Sequence, residues 1–332
     1  MPLASSGPGT AARVVALTGL APVAWGSTYA VTTEFLPPDR PLFTAFMRAL
    51  PAGLLLWAAS RATPRGEWWW KSAVLGALNI GAFFPLLFLA AYRLPGGVAA
   101  VLGAVGPLFA AGFAALLLAE RLTPRTVAAG MTGVLGVTLV VLRAEARLDA
   151  VGIVAGVAGT ASMAAGTVLT KRWGRPAGTG VSAMASWQLV SGGLLLLPLA
   201  FFVEGPPPPL DAPALAGYAY MAVLNTALAY LLWLRGISRL PATSVSFLAL
   251  LSPLSAAALG WGLLGEDLTG LQLAGMALTF AGVLWGQRAT ARGSRRPPVP
   301  GVTQDGPAPG GTGRDVTSQK VPGTACAAGG EV

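Results

Sequence analysis

Ten long apolar runs follow one another along the chain and leave little room for any other structure. A helix needs about 20 apolar residues, at a rise of about 1.5 Å each, to cross a hydrocarbon layer about 30 Å thick. The runs lie near residues 12–33, 41–60, 72–92, 96–118, 125–143, 150–170, 181–203, 213–235, 241–264 and 269–287. The connections between them are too short to hold a folded soluble domain. The pattern predicts an all-α integral membrane protein with ten transmembrane helices.

The composition agrees with a membrane protein and excludes several classes of enzyme. Only 11% of the residues are charged, whereas soluble domains have about a quarter. The chain has no histidine and a single cysteine, Cys326, which excludes imidazole and thiolate metal sites and disulfide frameworks. It lacks a Walker lysine loop and a catalytic pair at membrane depth. We therefore expect no enzymatic activity, catalytic residue, metal or cofactor.

The positive residues predict how the chain is oriented in the membrane. With the N-terminus in the cytoplasm, the inner connections carry 15 Lys and Arg and the outer ones carry 4. Cytoplasmic loops of membrane proteins carry such an excess, so both termini are predicted to be cytoplasmic and the location is the cell membrane. Residues 1–11 form a short cytoplasmic N-terminus. Residues 289–332, with 6 Pro and 9 Gly in 44 positions, are predicted to be a disordered cytoplasmic tail.

The chain also repeats itself at a shift of 146 residues. From 78 to 137, 19 of 60 positions are identical without a gap, including Asn79 on Asn225, Leu94-Pro95 on Leu240-Pro241 and Pro107 on Pro253. The two copies, 12–143 and 150–288, contain five predicted helices each. An odd number makes the copies enter the membrane from opposite sides. This predicts two inverted five-helix repeats with a substrate site near the midplane between them.

Four motifs resemble those of the EamA-type drug/metabolite transporters. They are Ala24–Tyr29 (AWGSTY), Ser186–Leu189 (SWQL), Asn225–Tyr230 (NTALAY) and the run from Arg239-Leu240-Pro241 to Gly265–Thr269 (GEDLT). The resemblance covers residues 12–288 and implies a ten-helix secondary exporter of amino acids, other small metabolites or drugs. The run Gly159–Leu169 departs from the family pattern because it lacks an aromatic residue in that wall of the cavity.

Arg48 is a cation within the second apolar run, about 10 Å from its outer end at about 1.5 Å per residue. An arginine near the centre of a membrane helix costs about 2.5–3.5 kcal/mol on insertion scales, so a position facing the bundle is expected. There it either holds an anionic group of the substrate or serves as a structural clamp. The clamp would act on Glu34 or on carbonyls freed by Pro37 or Pro51; snorkelling to the surface is the third alternative.

Three amides lie in otherwise apolar runs: Asn79, Asn225 and Gln188. An amide inside a bundle must find partners, and either a neighbouring helix or a ligand provides them. Both alternatives, lining of a substrate cavity and contact between helices, stay open for each residue.

Aromatic residues and prolines complete the candidate site. Trp25, Tyr29, Trp187 and Tyr230, together with Trp233, lie away from most helix ends and either line a cavity or pack in the core. Pro107 and Pro253 interrupt two repeat-related runs, and each is a candidate hinge or kink.

The predicted function is a secondary exporter of small metabolites or drugs that works by alternating access. Its expected partners are a small-molecule substrate and the lipid bilayer, not nucleic acid. A homodimer stays open, because the small-residue spacings indicate tight packing rather than a particular dimer. The alternative is a lipid-handling, flippase-like protein of the same architecture. Such a protein should have a basic lateral groove, for which Arg48 is the only candidate in the sequence.

Overall fold

The computed structural model describes residues 8–93, 102–141, 149–264 and 268–293, and these residues form helices and short connections without a strand. The first half contains α1 (Pro8–Gly26), α2 (Thr28–Phe35), α3 (Pro41–Ser60), α4 (Trp68–Gly76), α5 (Phe83–Arg93), α6 (Gly106–Leu118) and α7 (Pro124–Val141). The second half contains α8 (Ala150–Trp173), α9 (Val181–Glu204), α10 (Ala212–Ala222), α11 (Ala229–Arg239), α12 (Ala242–Leu248), α13 (Leu251–Leu264) and α14 (Gly270–Gly293).

Seven helical stretches of the described chain are long and apolar enough to cross a membrane. They are Ala11–Thr32, Pro41–Ser60, Trp68–Leu87, Ala150–Trp173, Val181–Glu204, Ala212–Arg239 and Ala242–Gly262, and they coincide with seven of the ten predicted runs. Leu102–Leu118 and Pro124–Val140 are shorter apolar helices, and α14 has 24 residues. The prediction of an all-helical, multi-pass membrane protein is therefore confirmed.

Several of the helices change geometry along their length. Two π-helical segments, Ala77–Ala82 and Val223–Leu228, join α4 to α5 and α10 to α11. Turns interrupt the helices at Val105, just before α6, and between α12 and α13. Pro107 and Pro253 each lie in the first turn of the segment that follows, where a missing N–H costs no hydrogen bond. Each proline thus follows an interruption within one longer helical stretch, and the role of both as hinges or kinks stays a prediction.

Glycines let the most extensively packed helix pairs approach closely. These pairs are α3 with α9 and α7 with α14. A Cβ atom added at Gly53 would lie 2.8 Å from the backbone nitrogen of Val190, and one at Gly136 would lie 2.4 Å from that of Thr279. Further contacts join α8 to both α5 and α6, and α1 to both α11 and α13.

Carboxylates of one half meet helix starts of the other half. Glu204, at the end of α9, accepts hydrogen bonds from the backbone nitrogens of Leu42 and Phe43 at 2.5 and 2.9 Å. Glu120, after α6, accepts from the backbone nitrogen of Ala242 and from the hydroxyl of Thr243, both at 3.2 Å. Free N–H groups at a helix start favour a carboxylate, so both contacts stabilise the association of the halves.

The end of the described chain differs from the predicted start of the tail. Helix α14 continues to Gly293, beyond residue 289, where the tail was predicted to begin. The remaining part of the predicted tail, 294–332, and the first seven residues lie outside the described residues.

Candidate functional site

A cavity of about 900 Å³ enters the helical bundle from the end where residues 37–41 connect α2 to α3. Both halves contribute to its wall, with residues of α1, α3 and α5 on one side and of α8, α11, α12 and α13 on the other. Among the described residues, the loops at the opposite end, 61–67, 119–123 and 174–180, contribute none. The cavity therefore opens towards one end of the molecule and leads to the middle of the helices.

Arg48 lies on the cavity wall and is held by neutral groups of the other half. Its side chain is only 5% exposed. It donates from Nε to the hydroxyl of Thr226 at 3.1 Å and from a terminal nitrogen to Oδ1 of Asn225 at 2.7 Å. The guanidinium carbon lies 4.9 Å from the ring centre of Phe84. Glu34, the carboxylate that the sequence offered as a clamp partner, is exposed.

Asn225 connects this arginine to the first helix of the chain. Its amide nitrogen donates to the carbonyl oxygen of Ala24 at 2.7 Å, and its Oδ1 accepts from the hydroxyl of Thr28 at 3.2 Å. Its backbone carbonyl accepts from the indole of Trp25 at 3.0 Å. Asn225 is therefore a fully buried contact between helices, and it positions Arg48 from behind the wall.

A second polar group surrounds Gln188. The amide nitrogen of Asn79 and the hydroxyl of Tyr230 both donate to Gln188 Oε1, at 3.1 and 2.8 Å. The amide nitrogen of Gln188 is buried and has no partner among the described residues. Asn79 and Tyr230 line the cavity, whereas Gln188 lies behind them.

The two polar groups are related by the internal repeat. The shift of 146 residues places Asn79 on Asn225, Phe84 on Tyr230 and one π-helical segment on the other. A shift of 140 residues aligns Gly53 and Leu54–Leu56 with Gly193 and Leu194–Leu196, and it places Arg48 on Gln188. Arg48 thus contacts Asn225 of the other half and the Phe84 ring of its own half, and Gln188 contacts Asn79 of the other half and the Tyr230 hydroxyl of its own half.

Aromatic rings form much of the remaining wall. The rings of Trp25 and Trp233 lie 5.0 Å apart, and Phe83 and Phe84 are 5.4 Å apart. All four residues line the cavity. The site thus combines one buried cation, amide and hydroxyl groups, and flat apolar surfaces.

Comparison with known proteins gives the family. The profile of the EamA-like transporter family matches the chain twice, over residues 13–142 and 150–285. Protein PecM of Dickeya dadantii is 44% identical over 264 residues, which cover 80% of this chain and 89% of PecM. The chain belongs to the EamA-like transporter family.

This EamA-like membrane transporter is also similar to a Salmonella protein in sequence and to a solved structure in fold. It is 27% identical over 283 residues to a probable amino-acid metabolite efflux pump of Salmonella typhimurium, covering 79% of this chain and 90% of the pump. A crystal structure 19% identical in sequence superposes with a TM-score of 0.70, over 82% of this chain and 98% of the other. At that identity, the second comparison shows the fold alone.

Six of the candidate residues of this EamA-like transporter line the cavity: Trp25, Arg48, Asn79, Tyr230, Trp233 and Pro253. Asn225 and Gln188 lie behind the wall, and Pro107 lies outside it. Trp187 also lies elsewhere, because its indole donates to the carbonyl oxygen of Ala62 at 2.8 Å and packs against Trp68. The side chain of Tyr29 is outside the described part of the structure.

Some residues of the cavity wall in this EamA-like transporter were not among the predicted site residues. Phe84 and Thr226 contact Arg48, and Met163 lies on α8 in the run that lacks an aromatic residue. The repeat shift that pairs Phe84 with Tyr230 was a signal for Phe84. Thr226 and Met163 lie within Asn225–Tyr230 and Gly159–Leu169, two segments noted for the family resemblance, but neither side chain was singled out there.

Proposed function

We propose that this chain is a secondary transporter that exports small metabolites or drugs by alternating access through the cavity. Amino acids or related compounds are the expected metabolites, in keeping with the name of the Salmonella pump. The observation that carries the proposal is that both family-matched regions supply the wall of one cavity, which leads to polar groups midway along the helices. Sites between repeats near the midplane are typical of secondary transporters.

The packing of the helices supports ten membrane crossings in two inverted repeats. In the repeat, α1 is equivalent to α8, α5 to α11 and α6 to α13. When each helix is replaced by its equivalent, the α5–α8 contact becomes the α11–α1 contact, and the α6–α8 contact becomes the α13–α1 contact. The same exchange returns the α3–α9 and α7–α14 pairs to themselves. A pseudo-two-fold axis that passes through both of these pairs accounts for the whole pattern.

The charge bias supports a cell-membrane protein with both termini in the cytoplasm. In that orientation, residues 37–41 lie outside the cell and the cavity is open to the outside. Export then requires a second conformation, in which the two halves rock and the cavity opens to the cytoplasm.

The test is counterflow from proteoliposomes loaded with a mixed pool of amino acids, organic acids, aromatic amines and cationic drugs, with mass spectrometry of the released solutes. The first variant is Met163→Trp, which adds a large side chain to the cavity wall. The matched control is Met131→Trp, because Met131 is 55% exposed on α7 and lies outside the wall.

We expect selective exchange by the wild type and by Met131→Trp, and a loss of at least tenfold in Met163→Trp at an unchanged melting temperature. Equal exchange by both variants would refute the assignment of the cavity as the route. If the folded wild type moves no small solute but does move a fluorescent lipid, the lipid-handling alternative is correct.

A further inference from the structure

The cavity of the proposed transporter is electrically asymmetric. Among the described residues of its wall, Asp39 and Arg40 are charged at the mouth, and Arg48 is the one charged residue in the interior. The deep part of the described wall thus contains a cation and no carboxylate.

No carboxylate in the described part of the chain neutralises the charge of Arg48. Two salt bridges occur among the described residues, Lys71–Glu67 and Arg93–Asp149, and neither includes Arg48. The hydrogen-bond partners, Asn225 and Thr226, are neutral. A guanidinium has five N–H groups in a planar fork that suits the two oxygens of a carboxylate, and these two bonds use two of the five.

A buried cation is costly unless it is paired, and Arg48 faces the space that a substrate would fill. We infer that the transported solute is an organic monoanion, whose carboxylate binds Arg48 and whose flat apolar body lies along Trp25, Trp233 and Phe83. This inference rests on the proposed function and narrows its substrate class. A free amino acid fits less well, because its ammonium group would find no carboxylate in the deep part of the described wall.

The repeat indicates which variant removes the charge and preserves the fold. Gln188 is the equivalent of Arg48, and it accepts a hydrogen bond from Asn79, the equivalent of Asn225. A glutamine is thus already accommodated in this environment. Arg48→Gln should therefore remove the cation and keep a hydrogen bond to Asn225. The control is Arg235→Gln, which removes the same charge from an exposed position on α11.

The experiment compares three indole compounds in the counterflow assay: indole-3-acetate, an anion; tryptophan, a zwitterion; and tryptamine, a cation. They share one ring system and differ in charge. We expect the wild type and Arg235→Gln to exchange indole-3-acetate at least tenfold faster than tryptamine and faster than tryptophan. Arg48→Gln should lose this preference and exchange indole-3-acetate at least tenfold more slowly than the wild type.

The charge preference of the wild type tests the inference even if a variant fails to fold. If tryptamine or tryptophan exchanges as fast as indole-3-acetate, the substrate class is wrong and the transport function stands. The same holds if no indole compound exchanges and the solutes of the mixed pool that do exchange are not organic acids. If no solute of any charge exchanges, the transport function itself fails. An unchanged preference in folded Arg48→Gln would also overturn the role of Arg48.

Discussion

Asn79 and Asn225 occupy equivalent positions in the two π-helical segments, yet their contacts differ greatly. The Asn225 amide takes part in hydrogen bonds with Ala24 at 2.7 Å, Ser27 at 3.4 Å, Thr28 at 3.2 Å and Arg48 at 2.7 Å. Asn79 donates one hydrogen bond, to Gln188 at 3.1 Å. Asn79→Ala and Asn225→Ala thus remove very different sets of contacts, although the two positions are equivalent in the repeat.

The size of the difference follows from these contacts. Hydrogen bonds between membrane helices contribute about 0.6 kcal/mol on average, and one to a charged group contributes about 1.5–3 kcal/mol. Asn225→Ala loses three neutral bonds and one charged bond, which predicts about 3–5 kcal/mol of lost unfolding free energy. Asn79→Ala loses one neutral bond, which predicts about 0.6 kcal/mol.

The measurement is the unfolding free energy in detergent micelles titrated with dodecyl sulfate, followed by tryptophan fluorescence. Both variants remove the same atoms from equivalent segments, so differences in helix propensity largely cancel. The prediction is that the hydrogen bonds around Arg48 and Asn225 connect the halves more strongly than those around Gln188 and Asn79. It is refuted if Asn79→Ala lowers the unfolding free energy as much as Asn225→Ala does, or more.

Two further predictions concern contacts between the halves. Gly136→Ala should destabilise the protein by about 1–3 kcal/mol, because the new Cβ would lie 2.4 Å from the Thr279 backbone nitrogen. Gly112→Ala, which meets no atom within 4 Å, should not destabilise it; equal melting temperatures for these two variants would contradict the close packing of α7 on α14. Glu120→Ala should cost about 0.5–2 kcal/mol, since the start of α12 loses its carboxylate partner. Glu120→Gln should cost less unfolding free energy, because it keeps an oxygen that can accept from Thr243. Both variants are measured by dodecyl sulfate titration. A larger loss of unfolding free energy in Glu120→Gln than in Glu120→Ala would exclude the capping role.

The sequence predicted the helical membrane architecture because the length of an apolar run directly measures its ability to cross a bilayer. It also predicted the cavity residues that were scarce polar or aromatic groups in apolar surroundings, such as Arg48 and Trp25. Their partners were not predictable, because contacts between the halves depend on how the helices cross. The π-helical segments left no signal either, since an α-helix and a π-helix share the same apolar composition.

The equivalence of Arg48 and Gln188 shows how a repeat can hide part of a site. Gly53 and Asn79 are 26 residues apart, whereas Gly193 and Asn225 are 32 residues apart. The six additional residues change the repeat shift from 146 to 140, so a single gap-free comparison cannot align both parts. Trp187 shows a second limit, because a tryptophan that holds a loop and one that lines a cavity look alike in sequence.

There is a physical reason why only one of the two repeat-related positions, 48 and 188, carries a cation. If position 188 were also an arginine, two like charges would be buried at equivalent sites of one bundle, without a carboxylate among the described wall residues to pair with them. Glutamine keeps the hydrogen bonds with Asn79 and Tyr230 and avoids that second charge. In the proposed mechanism, both halves thus line the cavity but only one of them provides the buried charge, since similar helices do not require identical charges.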